Sequence, residues 1–173
     1  QDLVRDDRGV VEGDAIVANA YLLTSPVDFY YGGLDFDRDG NLFVAVSPYF
    51  DGVSAIHRRD GQTGEVTVWA ETVILDEDFR SIAIDDTTNT LWAIVKRTGF
   101  AFPTRLVKSP IDGGPSWTEV ATVNSNHGAG LDTDEAGNCY FADEIDGYHH
   151  YDDSTGVLTS VALTLELSAV SYT

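Results

Sequence analysis

The sequence predicts an all-β chain made of about three and a half to four copies of one four-stranded antiparallel unit. Three observations predict it: a segment of some 48 residues recurs, its apolar residues alternate with period two, and turns rich in Gly, Asn and Asp punctuate it. No stretch carries helical periodicity. The best candidate, residues 13–23, is short and holds β-branched side chains.

The elements follow in order. Residues 1–24 read as a partial unit or outer hairpin, with Leu3-Val4-Arg5 turning through Asp6-Asp7-Arg8-Gly9 into Val10-Val11. The first full unit spans 25–72. Gly33-Leu34-Asp35-Phe36 turns through Asp39-Gly40-Asn41 into Leu42-Phe43-Val44-Ala45, and residues 55–58 turn through 60–64 into 66–69. Gly and Asn tolerate the positive φ that a tight hairpin needs. The second unit, 73–123, pairs Ser81-Ile82-Ala83-Ile84 with Leu91-Trp92-Ala93-Ile94, then 105–108 with 117–120 through Asp112-Gly113-Gly114. The third, 124–164, turns Gly130-Leu131-Asp132-Thr133 through Ala136-Gly137-Asn138 into Cys139-Tyr140-Phe141-Ala142, and 148–151 through 153–156 into 157–160. Residues 165–173 read as the inner strand of a further unit. The anchors Leu34, Ile82 and Leu131 lie 48 and 49 residues apart.

Four strands at this period are the signature of a β-propeller blade. The sequence resembles the superfamily of NHL-repeat, YWTD-type and SMP-30/gluconolactonase-like propellers. Gly130-Leu131-Asp132-Thr133-Asp134 with 137–143 carries the resemblance. Residues 106–114 look like the third strand and turn of a YWTD-type blade. The resemblance covers roughly residues 30–173 and implies architecture rather than chemistry. A closed ring takes about 4–8 blades. The chain therefore forms a small four-bladed ring, half of a larger one, or an open array whose edges receive another chain.

Composition narrows the function. With 29 acidic against 10 basic side chains the formal net charge is −19, which argues against polyanionic partners such as nucleic acid or anionic membranes. Apolar runs reach about five residues, against the roughly 20 of a membrane-spanning helix. Hydrophobic content of 43% and aromatic content of 11% suffice to fill a core. A chain without Met that starts at Gln1 reads as processed, with a secretory signal removed. Two lysines among many Asp and Thr suit a salty extracellular setting. The single Cys139 excludes an internal disulfide and any CxxC site, and it reads as a buried small hydrophobe.

In a propeller the segments leading into the inner strands and the loops between second and third strands share one face. Here they offer Tyr31, Tyr49, Phe50, Arg80, Arg97, Phe100, Phe102 and His127 as ligand-binding candidates. Aromatics beside charges suit a glycan or a peptide. For a metal, the SMP-30-like resemblance implies a central divalent cation with Asp78, Asn126 and Glu144 as its candidate ligands and His127 beside them, and Asp143 next to Glu144 is a further oxygen-rich candidate. Asp35-Phe36-Asp37-Arg38-Asp39-Gly40 opens like a calcium loop, but Val46 stands where an EF-hand needs Glu, so an acidic hairpin turn is the simpler reading. No nucleophile elbow, Walker or dinucleotide signature is present. The expected function is a secreted, non-enzymatic binding or self-assembling protein with no required cofactor. Its partner would be a second copy or another chain that completes the ring. The SMP-30-like resemblance implies the alternative, a calcium-dependent hydrolase or lyase, and a carbohydrate-binding module is a third reading.

Overall fold

The computed structural model describes residues 29–48, 53–72, 77–97, 103–123, 128–143 and 147–161; these hold twelve strands and no helix. The first blade is β1 (Phe29–Phe36), β2 (Leu42–Pro48), β3 (Ala55–Arg59) and β4 (Val66–Glu71). The second is β5 (Glu77–Asp85), β6 (Thr90–Arg97), β7 (Thr104–Pro110) and β8 (Thr118–Val123). The third is β9 (Gly128–Thr133), β10 (Cys139–Asp143), β11 (Gly147–Asp152) and β12 (Val157–Val161). In each sheet the strands neighbour one another in chain order, so every connection is a hairpin. The hairpins assigned to residues 1–24 and the strand assigned to 165–173 lie outside the described residues.

Local chemistry fixes the inner hairpins. Asp37, Asp85 and Asp134 occupy one repeat position, 48 and 49 residues apart, and each carboxylate collects the N–H groups of its own turn. Asn41 and Asn138 return a side-chain amide to the same carboxylate, at 2.7 and 3.0 Å. Gly40 and Gly137 take φ of 79° and 81°, where a side chain would be strained. The second blade has one more residue in this turn, and Asn89 takes the left-handed conformation there at φ 54°. Its amide is held by the Asp112 carboxylate at 2.8 Å.

Each inner strand also skips one residue against its partner: Gly32 in β1, Arg80 in β5 and Gly130 in β9. Such a bulge flips the alternation. Phe79, Ile82 and Ile84 therefore share one core cluster although 79 and 82 are an odd number apart.

The blades stack face on face, with inner strand β5 packed between β1 and β9. Between the first two blades lie Phe43, Ala45, Ile56 and Ala70 from one sheet and Phe79, Ile82, Ile84, Leu91, Ala93 and Val95 from the other. Trp69 and Trp117 close this layer, edge to face at 5.8 Å, each also against a phenylalanine ring at 5.5 Å. Between the second and third blades Trp92, Ile94, Leu106 and Val123 meet Cys139, Phe141 and Tyr151. One repeat position is aromatic throughout. Phe43 and Trp92 are sealed at the two interfaces, and Tyr140 is the third member.

Candidate functional site

The stacking leaves side-chain carboxylates and hydroxyls where one inner strand meets the next. Asp35 accepts the Phe36 N–H on Oδ1 at 2.8 Å and reaches across with Oδ2 to the Ile84 N–H of the second blade, also at 2.8 Å. From the other side Thr133 donates its hydroxyl to the Ile84 carbonyl at 3.1 Å. β5 is thus clasped on both sides. Asp132 repeats Asp35: its Oδ1 accepts the Thr133 N–H at 2.9 Å. The other oxygen of Asp132 meets no blade among the described residues.

At the start of β5 charges gather. Asp78 is buried and accepts from the bulge residue Arg80 at 2.9 Å. Its cross-strand neighbour is Lys96, whose ammonium is held below its usual pKa by burial and by the nearby Arg80. Glu77 pairs with Arg105, which also meets Glu119 at 3.4 Å, and Arg97 lies opposite Glu77 in the ladder. A cleft of about 210 Å³ opens beside this cluster between the first two blades. Apolar Phe79, Val95, Val107 and Trp117 line it together with Glu71, Thr72, Glu77 and Arg105.

The two end faces of the array are apolar. The outward face of the first blade carries Leu34, Phe36, Val66 and Val68 around a buried cluster of Leu42, Val44 and Val46. The outward face of the third carries Tyr148, Val157 and Val161, with Tyr140 stacked between Tyr148 and His150. These account for seven of the eight large hydrophobics exposed among the described residues; Val53 is the eighth. The middle blade has none among its described residues.

Of the ligand-binding candidates, Arg80 and Arg97 stand at this charged end of the second blade, and Tyr31 holds a place in β1 opposite Val46. Tyr49, Phe50, Phe100, Phe102 and His127 lie outside the described residues. Of the metal candidates, Asp78 is engaged by Arg80, and Asp143 sits in β10 opposite Gly128. Asn126 and Glu144 lie outside the described residues. Among the described residues no three of His, Cys, Asp and Glu gather so as to hold a metal ion. In the calcium-like loop, both oxygens of Asp35 and of Asp37 are taken by protein N–H groups. The acidic hairpin reading fits that geometry. Sequence reasoning missed the cleft and the Asp35 clasp. The cleft arises only when blades stack, whereas the Asp–Ala–Asp alternation at positions 35, 83 and 132 was a signal for the clasp.

No protein-family model and no curated protein matches the sequence. Solved structures do. A gluconolactonase from Xanthomonas campestris superposes with a TM-score of 0.57 at 16% identity over 76% of this chain and 46% of its own. TolB from Acinetobacter baumannii gives 0.61 at 11% identity over 81% and 33%. The calcium-binding protein regucalcin from Agrobacterium tumefaciens gives 0.53 at 19% identity over 75% and 43%. The match thus covers less than half the length of each of these three structures. In fold it is a partial β-propeller, an array of four-stranded antiparallel blades.

Proposed function

We propose that the chain is a non-enzymatic propeller segment that works by binding, and that a second copy of itself closes its ring. The single observation that carries this reading is that seven of the eight large hydrophobics exposed among the described residues lie on the two end faces. Val157 and Val161 at 54% and 53% exposure and Leu34 and Val68 at 52% each lie where a further blade would stack. Exposed apolar side chains gathered on one face suit an interaction site, and on the first blade they flank the buried Leu42, Val44 and Val46. The Asp132 carboxylate, set like Asp35 but with one oxygen unengaged, supports a blade arriving on the third sheet. Two copies supply six described blades, within the roughly 4–8 of closed rings. Head-to-tail contact repeats the interface already present between the second and third blades.

The acidic composition supports a salt-rich setting outside the cell. Kinship within the NHL, YWTD and SMP-30-like group rests on the repeat alone. Lactonase activity and calcium binding are properties of the matched proteins, and at 16% and 19% identity they lend this chain no residue.

Light scattering coupled to size exclusion tests the reading. The expected mass is twice 18.8 kDa. Val157→Asp and Val68→Asp, on opposite faces, should each weaken association at least about tenfold, because each buries a charge at the same repeated contact. A species that stays monomeric throughout the micromolar range overturns the proposal.

A further inference from the structure

We propose that the cleft between the first two blades is a binding site for a small neutral aromatic molecule that carries one hydrogen-bond acceptor. The site lies in an interface inside the chain, so it does not depend on how the ring closes. Phe79, Val95 and Val107 line it as members of the core between these blades, and Trp117 lines it while packing against that core. Its volume of about 210 Å³ exceeds the roughly 150 Å³ of an engineered apolar cavity that takes up benzene. A single ring with a short substituent fits it. Trp117 and Phe79 already touch, with ring centroids 5.5 Å apart, so an incoming ring extends an existing aromatic contact.

The nearby charges select neither sign. Glu77 and Arg105 pair with each other, and Arg105 also meets Glu119. Arg80, Lys96 and Arg97 stand in the same cluster with Glu77 and Asp78. Register sets Glu71 opposite Ala55 while Ala70 joins the inter-blade core, so the Glu71 side chain is turned to the other face of the first sheet. A charged ligand would give up its hydration for apolar walls and charges of both signs, which favours a neutral one. Thr72 supplies the orienting group. It is buried and lines the cleft. Its Oγ1 accepts the Ser54 N–H at 3.2 Å, and its own N–H is tied to the Ser54 carbonyl at 2.9 Å. A threonine hydroxyl also donates one bond, and no acceptor for that proton stands among the described residues. A carbonyl oxygen on the ligand takes it. One polar group on apolar walls is how small-molecule sites fix orientation.

The experiment titrates the full chain with acetophenone and, separately, with ethylbenzene, which has nearly the same shape and no acceptor. The three tryptophan indole N–H signals are followed by NMR. Saturable shifts are expected with both ligands at Trp117 and at Trp69, which meets it edge to face, but not at Trp92 in the other interface. Benzoate, the charged analogue, should give none. Thr72→Val should weaken acetophenone about three- to tenfold, the worth of one neutral hydrogen bond, and leave ethylbenzene within about twofold. Thr72→Ser keeps the hydroxyl and should restore acetophenone binding. Absent or unsaturable shifts at Trp117, equal shifts at Trp92, benzoate binding as tightly as acetophenone, an acetophenone affinity untouched by Thr72→Val, or a loss that falls on both ligands alike would each overturn the proposal.

Discussion

Single carboxylates do different work in this chain according to what surrounds them. Asp35 spans two blades, and its loss would strand the buried Ile84 N–H. Asp35→Ala should therefore cost about 1–3 kcal/mol in urea unfolding. Asp132→Ala, which removes only a local bond at an exposed site, should stay within about 0.5 kcal/mol for the isolated chain. Equal costs would show that the clasp contributes nothing across the interface. Asp134 is instead a turn carboxylate. Hydrogen bonds from the Asn138 amide, then from the Tyr140 hydroxyl, hold its pKa at about 2. A depressed folded-state pKa stabilises the fold above the ordinary value of 3.8, and that contribution is lost as pH falls toward about 2. Tyr140→Phe should raise the pKa of Asp134 in an NMR titration; an unchanged value would mean the phenol plays no part. Cys139 is fully buried, and burial pushes its thiol well above the usual range. It should resist alkylation in the native state and react only on unfolding.

At the scale of the strand, the decisive feature is the skipped residue near the axis. A Cβ on Gly32 would overlap the Phe79 carbonyl oxygen of the next blade, so β1 and β5 approach this closely only with glycine at that place. Gly32→Ala should push the inner strands apart and lower stability by about 1–3 kcal/mol, read as a lower urea midpoint. An unaffected midpoint would mean that the two strands are free to separate. Strand identity and turn positions were legible in the sequence because period-two alternation and Gly or Asn at the turns are local signals. The bulges were not. A skipped residue inverts which side chains face the core, as Phe79 and Ile82 show, and nothing in the spacing of apolar residues announces it when both faces are buried. The same holds for Trp69 and Val120, skipped in the β3–β4 and β7–β8 ladders. Trp69 is turned into the inter-blade layer beside Ala70 although simple alternation would send the two apart. The candidate site suffered most. Its charged end depends on cross-strand neighbours such as Asp78 and Lys96, which only register supplies.

For the molecule as a whole, charge and shape pull against each other. The excess of acidic groups gives a net charge of −19, yet association would bring two such chains together. Basic side chains are already committed locally: Arg80 to Asp78, Arg105 to Glu77 and Glu119, Lys108 to Asp153. The Lys108–Asp153 pair is partly exposed and worth about 0–1 kcal/mol, while Asp78 and Glu77 are buried, so salt screens their pairs little. Repulsion among the remaining carboxylates is long-ranged at low salt. Raising ionic strength from about 0.01 to 0.15 M shortens the screening length from about 30 to about 8 Å, which removes repulsion between blades and between copies while leaving the apolar end faces untouched. Both the melting temperature and the dimer fraction should therefore rise with sodium chloride over that range. The dimer should respond more steeply, because its assembly doubles the charge in one particle. Melting that falls with salt would mean that ion pairs such as Lys108 with Asp153 dominate the electrostatics. A dimer fraction that falls while melting rises would place complementary charges, rather than apolar faces, at the contact between copies.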